Sequence, residues 1–214
     1  MSLEITELYK VTKKDVNVCA QSLAEAFSDD NAMSHLTGRS GSREKRLKSL
    51  FRFIVRASLK HDNVYATSSR MEGVVVWLPE NVTYLSTWDF FTSGGIGIIL
   101  RHWFKMPWTM MKYEEFTAHR HHEHIKKPHW YLLALAVGKE HRKKGFSSKL
   151  MRPFLQYFDD EDIPCYLETG KGNNEAMYRH YGFDLVEKVD LPKNGGVFKA
   201  MLRYPQITNK ESNG

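Results

Sequence analysis

The segment that most constrains this chain is WYLLALAV, residues 130–137, eight apolar residues in a row bounded by His129 on one side and Gly138 on the other. An unbroken apolar run of this length bounded by polar residues reads as a central strand covered on both faces. The run IGIIL (96–100), closed by Arg101 and His102, falls far short of the roughly 20 residues a membrane span needs. WYLLALAV leads into a basic turn, KEHRKKG (139–145), and then into Ser147, Leu150, Met151, Phe154, Leu155 and Phe158 at helical spacing. Pro153 falls inside that helix and is expected to bend it. CYLE (165–168) reads as another strand, Ala176 to Tyr181 as a short helix stopped by Gly182, and 183–189 and 197–203 as closing strands. Strand, helix, strand in this order requires at least one parallel pair with a crossover helix.

The first half is less constrained. Residues 3–9 alternate in strand fashion. Thr12 with Asp15 has the spacing of a capping box ahead of Val16, Cys19, Ala20, Leu23, Ala24 and Phe27, a one-faced helical stripe. Leu47, Leu50, Phe51, Ile54 and Val55 mark a second helix, and 64–67 with 74–78 a hairpin. Residues 81–128 hold three of the five tryptophans and a His-rich end, and read as mostly helical. With no repeat and no linker-like stretch, residues 1–204 are expected to form one domain, followed by a tail over 205–214.

Of the 214 residues, 42% are hydrophobic and 13% aromatic, enough to exclude a disordered chain. The formal charge of +6 suits an anionic partner: nucleic acid, a membrane surface or a phosphate-bearing cofactor. Cys19 and Cys165 lie far apart in apolar segments and read as reduced core residues of a soluble, cytoplasmic protein. A nucleic-acid-binding protein would want a basic face interleaved with aromatics, whereas here the densest charge sits in one strand-to-helix turn.

That turn has the makings of an anion site. The first N–H groups of a helix are unpaired, the dipole is positive there, and Gly145 admits a phosphate close to the backbone. Arg142, Lys143 and Lys144 add charge; the competing reading is a solvated basic turn. Two other glycine-containing stretches do not qualify. TGKGNN (169–174) lacks the first Gly and the Ser/Thr of a P-loop, and GGIGIIL (94–100) lacks the last Gly of a dinucleotide fingerprint.

Arg142-Lys143-Lys144-Gly145-Phe146-Ser147 resembles the acetyl-CoA loop of the GNAT superfamily of N-acetyltransferases, Q/R-x-x-G-x-G/A, with Ser147 in place of the final Gly or Ala. LLALAV is similar to that family's central strand, and NNEAMYRHYGF (173–183) to its ending of Asn, Tyr and Gly-Phe. HWYL (129–132) and YLET (166–169) further resemble the puromycin N-acetyltransferase-like subgroup. The resemblance covers roughly 129–203 and implies an α/β (α+β) GNAT fold, a mixed, mostly antiparallel sheet of about seven strands flanked by helices.

The resemblance also implies roles. The central strand would splay from its neighbour, so that Leu135, Ala136 and Val137 meet the pantetheine arm of acetyl-CoA through the free backbone groups of Leu135 and Val137. Arg142 to Ser147 would cradle the pyrophosphate, with Asn174 near the pantetheine; otherwise Asn174 is simply a helix cap. Tyr178 would protonate the departing thiolate, unless it is a packed core aromatic. Tyr181 stands where that family is usually just apolar, and reads as core. For the base, Glu168 is the first candidate, with His129 and Tyr131 as rivals. The reaction expected is direct attack of a small-molecule primary amine on the thioester. The alternatives are a protein or peptide amine as acceptor, or a CoA-binding module without catalysis. Trp88, Phe90, Phe91, Trp103, Phe104, Trp108 and Met111 suggest an apolar acceptor wall within 81–128, or else core packing or a homodimer contact. The run AHRHHEHIKK (118–127) has no metal-site spacing, and reads as a solvated basic helix end in which His119, His122 and Lys126 suit the helix dipole.

Overall fold

The structure is a computed structural model, and it describes residues 5–30, 33, 34, 37, 42–80, 93, 106–170, 174–191 and 196–206. Within the helix over 106–124 the side chains of 106–111 and 114 are outside the description, as are the tryptophan-rich stretches on which the acceptor-wall expectation rests.

Seven strands form one sheet: β1 (Tyr9–Lys10), β2 (Val64–Ala66), β3 (Gly73–Pro79), β4 (Trp130–Val137), β5 (Cys165–Thr169), β6 (Asp184–Asp190) and β7 (Val197–Arg203), in the order β1-β2-β3-β4-β5-β7-β6. Only β4 and β5 run parallel among these pairs. The crossover between them is α4 (Phe146–Asp160), as the strand–helix–strand order requires. The mixed sheet with helices on both faces is the fold class expected.

The first strand is shorter than the alternation over 3–9 suggests: only Tyr9 and Lys10 pair, and residues 6–8 form a turn closed by the Leu8 N–H on the Ile5 carbonyl. Thr12 and Asp15 do form the box. The Thr12 N–H donates to the Asp15 carboxylate at 2.9 Å, starting the turn that feeds α1 (Val16–Ala26). α1 and α2 (Arg43–Ser58) cover one face of β2–β4 with Cys19, Leu23, Leu47, Phe51 and Val55. On the same face, α3 (Met106–His124) covers β5 and β7 through Phe116 against Phe198 and Ile125 against the strands. The opposite face carries α4, whose Leu150, Met151, Phe154 and Phe158 pack on Tyr65, Trp77 and Trp130. α5 (Asn174–His180) joins this side through Tyr178. α4 runs continuously through Pro153. Both cysteines are free and fully buried. Among the described residues, no helix is long and apolar enough to cross a membrane.

Candidate active site

β4 and β5 pair only at Trp130–Cys165, Tyr131–Tyr166 and Leu132–Leu167, then part company. The cause lies in the next residue. On the β3 side, Trp77 faces Leu132 while Val76 faces Ala134, so Leu133 is one residue too many. Such a bulge bends its strand and ends pairing. It also resets the side-chain alternation: Trp130 and Leu132 join the α4 cluster, Leu133, Ala134 and Ala136 the α1–α2 cluster, and Leu135 and Val137 the α4 side again.

The freed edge of β4 is polar. Gly73 faces Val137, but its carbonyl accepts from the Thr67 N–H and its N–H donates to the Thr67 hydroxyl, both toward β2. The Gly138 N–H donates to Glu72 across the β3 side. By alternation, the backbone groups of Val137 and Leu135 face away from β3, into the gap.

A cavity of about 340 Å³ occupies this gap, lined by Leu135, Ala136, Val137, Arg142, Lys143, Gly145, Phe146, Ser147 and Asn174. Phe27 enters from the α1 side and Met177 from the α5 side, so the cavity takes its walls from both faces of the sheet. The loop beneath it alternates left-handed residues, Lys143 at φ 61° and Gly145 at φ 80°. The first costs on the order of 1 kcal/mol, a strain that persists at functional turns. No side chain caps α4, and a Cβ built at Gly145 would meet nothing within 4 Å. Unpaired helix-start N–H groups, an open approach and basic neighbours form a donor set that fits a pyrophosphate.

Arg142 is tied across the cavity mouth, its Nε 3.4 Å from the Val137 carbonyl and its Nη2 3.3 Å from the Ala26 carbonyl at the end of α1. Lys144 does not join the lining. It is exposed between the two left-handed residues, beside the turn rather than in the cavity wall.

Glu168 occupies the first position of β5 beyond the paired stretch, and it too lies outside the cavity lining. Its carboxylate accepts long hydrogen bonds from the Tyr131 hydroxyl (3.4 Å) and the Tyr166 hydroxyl (3.3 Å). Burial outweighs these two donors and pushes its pKa up to about 8. Tyr178 lies in the core cluster on the other face, edge-on to Phe183 at 6.0 Å, one residue from Met177 of the cavity wall. Burial, and secondarily Tyr181, holds its phenol protonated far above the ordinary range. Burial likewise pushes both thiols up to about 12, which leaves Cys165 no thiolate with which to accept an acyl group.

The histidine run is not a uniformly solvated helix end. His119, His122 and Lys126 are exposed, but His121 is buried and stacks on Tyr166 at 4.1 Å. Its Nε2 lies 2.6 Å from the Nε2 of buried His129, whose Nδ1 is 2.7 Å from the Lys127 carbonyl. A neutral His129 therefore donates through Nδ1 and accepts from His121. Burial lowers both pKa values, that of His121 to about 3. His124 pairs with Glu187 at 2.9 Å. The sequence alone does not reveal these contacts, since they join residues on different elements. Nor does it assign Ala26, Phe27, Asp30, His141 and Met177 to the cavity; Phe27 reads there only as one of a core stripe.

Residues 99–183 match the Acetyltransferase (GNAT) family. The chain is 24% identical over 217 residues to an uncharacterised N-acetyltransferase of Schizosaccharomyces pombe, covering 94% of this chain and 84% of the relative. The fold is similar to that of the histone acetyltransferase HPA2 and related acetyltransferase from Corynebacterium glutamicum, with a TM-score of 0.64 at 18% identity, covering 94% of this chain and 97% of that one. It is also similar to a putative arylalkylamine N-acetyltransferase 7 of Aedes aegypti, with a TM-score of 0.61 at 10% identity over 92% of this chain and 86% of that one.

Proposed function

We propose that this chain is an N-acetyltransferase of the GNAT kind, which residues 99–183 match, and that it moves an acetyl group from acetyl-CoA to the primary amine of a small molecule by direct attack on the thioester. The observation that carries this reading is the gap between β4 and β5, which opens a freed strand edge onto a cavity floored by an anion-binding turn. The pyrophosphate lies against residues 142–147 and the pantetheine arm along Leu135–Val137, reaching past Asn174. This brings the thioester to the point where the strands part.

Glu168 and Tyr178 then stand on opposite faces of the sheet. Glu168, ionised above its raised pKa, takes a proton from the ammonium or from the attacking nitrogen. A nitrogen–carbon bond forms, and a free backbone N–H of β4 holds the oxyanion. As the carbon–sulfur bond breaks, Tyr178 gives its proton to the sulfur and recovers one from solvent. The tyrosines at 113, 131 and 166 on the Glu168 side favour an amine with an apolar body; the Aedes aegypti neighbour is described as an arylalkylamine enzyme. The puromycin-type subgroup resemblance of HWYL and YLET, and the acceptor wall within 81–128, belong to this same reading.

Calorimetric titration with coenzyme A, then thiol release with a panel of small amines, tests it. Gly145→Asp should abolish coenzyme A binding in a folded protein. The left-handed φ costs a side chain only about 1–2 kcal/mol, too little to unfold a typical domain, so the loss would report the anion site. Wild-type protein with no affinity for coenzyme A would refute the reading.

A further inference from the structure

Two departures from the family's pattern meet in space. Ser147 stands where the loop resembles one ending in Gly or Ala, and Tyr181 where an apolar residue is usual, 34 positions later in the chain. The Tyr181 hydroxyl donates to the Ser147 Oγ at 3.1 Å and lies 3.1 Å from the Ser148 Oγ. Tyr181 has one proton to give, and a phenol O–H is a stronger donor than an alkyl hydroxyl. With that proton on Ser147, Ser148 must be the donor to Tyr181. The order is Ser148 to Tyr181 to Ser147, which leaves the Ser147 proton for the cavity that Ser147 lines.

Tyr181 is held firmly enough to set that order. α5 ends in a Schellman turn: the Phe183 N–H donates to the Tyr178 carbonyl at 3.1 Å and the Gly182 N–H to the Arg179 carbonyl at 2.9 Å, with Gly182 at φ 85°. The Tyr181 carbonyl accepts from the Nε of Arg203 at 2.9 Å, and that guanidinium grips Asp159 of α4 through two bonds of 2.7 Å. The ring itself is buried in the α4 cluster. A side chain clamped from α4, α5 and β7 loses little freedom when a ligand arrives.

We propose that Ser148, Tyr181 and Ser147 form a polarised hydroxyl chain that presents one extra donor to the pyrophosphate of the cofactor, with Tyr181 as the positioning residue. The inference rests on the acetyl-CoA reading above. Each hydroxyl that donates onward becomes a better acceptor and donor in turn, so the chain acts as a unit.

The test is a double-mutant cycle. Tyr181→Phe keeps the ring and removes the proton; Ser147→Ala removes the terminal donor. Each should weaken coenzyme A binding by roughly fivefold, within the loss typical of one hydrogen bond. The double variant should be no worse than either single one. ADP, which carries the pyrophosphate without the pantetheine arm, should lose affinity in parallel, and the KM for acetyl-CoA should rise with little change in kcat. Wild-type affinity in Tyr181→Phe, or two losses that simply add, would overturn the chain. Should Tyr181→Phe fail to fold, Ser147→Ala decides alone: unchanged ADP affinity overturns the inference. Absence of coenzyme A binding by the wild type would instead remove the functional reading on which it rests.

Discussion

At the scale of single residues, the proposed chemistry depends on one carboxyl group shifted up and one phenol kept protonated. With Glu168 near 8, the proposed base is mostly protonated at neutral pH, so on that reading kcat/KM should rise with pH through that value. Glu168→Gln should cost about a hundredfold or more in turnover and remove that limb of the pH profile. Linkage gives an independent reading. A carboxyl whose folded pKa is raised contributes stability at low pH and loses it as pH climbs through the folded value. Glu168→Gln should therefore melt higher than wild type above about pH 8, and differ little from it below pH 4.5. An unaltered profile and melting curve would leave Glu168 a structural residue. Tyr178→Phe should lower turnover at least about tenfold, with little effect on coenzyme A affinity, since only the proton is lost. Near-normal turnover when chemistry limits the rate would return Tyr178 to the core cluster in which its ring already packs.

At the scale of elements, the bulge at Leu133 does what no side chain does: it ends the β4–β5 pairing and frees the strand edge. Deleting Leu133 would leave every other residue of β4 on its present face, because Leu133 is the residue that doubles the count. The strand would then be free to follow β5 past Leu132, closing the gap. The expected outcome is a folded protein, by circular dichroism, that no longer binds coenzyme A in calorimetry. Binding at wild-type affinity would mean that the loop alone holds the strands apart. Pro153 is a different case at this scale. Its missing N–H falls within α4, yet the helix continues, because Leu150, Met151, Phe154 and Phe158 fix both halves to one sheet face.

Across the whole molecule, the buried Glu168 and the buried pair His121–His129 make opposing demands of pH. His121 and His129 have folded pKa values below that of a free imidazole, so their contribution to stability is full above about 6.5 and is lost as pH falls, for His121 toward about 3. They join α3 to the start of β4, and His121 faces Tyr166, Tyr131 and the neighbouring His122 and His124. Melting temperature should therefore drop between pH 7 and pH 4. His121→Phe, which keeps the ring stack, should show a smaller drop; an equal one would place the acid sensitivity elsewhere.

The sequence by itself determined most of the described elements and the basic strand-to-helix turn. WYLLALAV could only be a central strand, the stripes of α1, α2 and α4 could only face a core, and Gly145 with Gly182 could take left-handed backbone where other residues resist it. Those are local matters of period and φ, readable within a dozen residues. The tertiary structure decided what depends on distance along the chain. The short β1, the parting of β4 from β5 after Leu132, and the contribution of Phe27 and Met177 to one cavity follow from packing between elements far apart in sequence. So does the fate of His121. In the run it is one basic residue among several, and only the arrival of His129 and Tyr166 over its ring makes it a buried, neutral one.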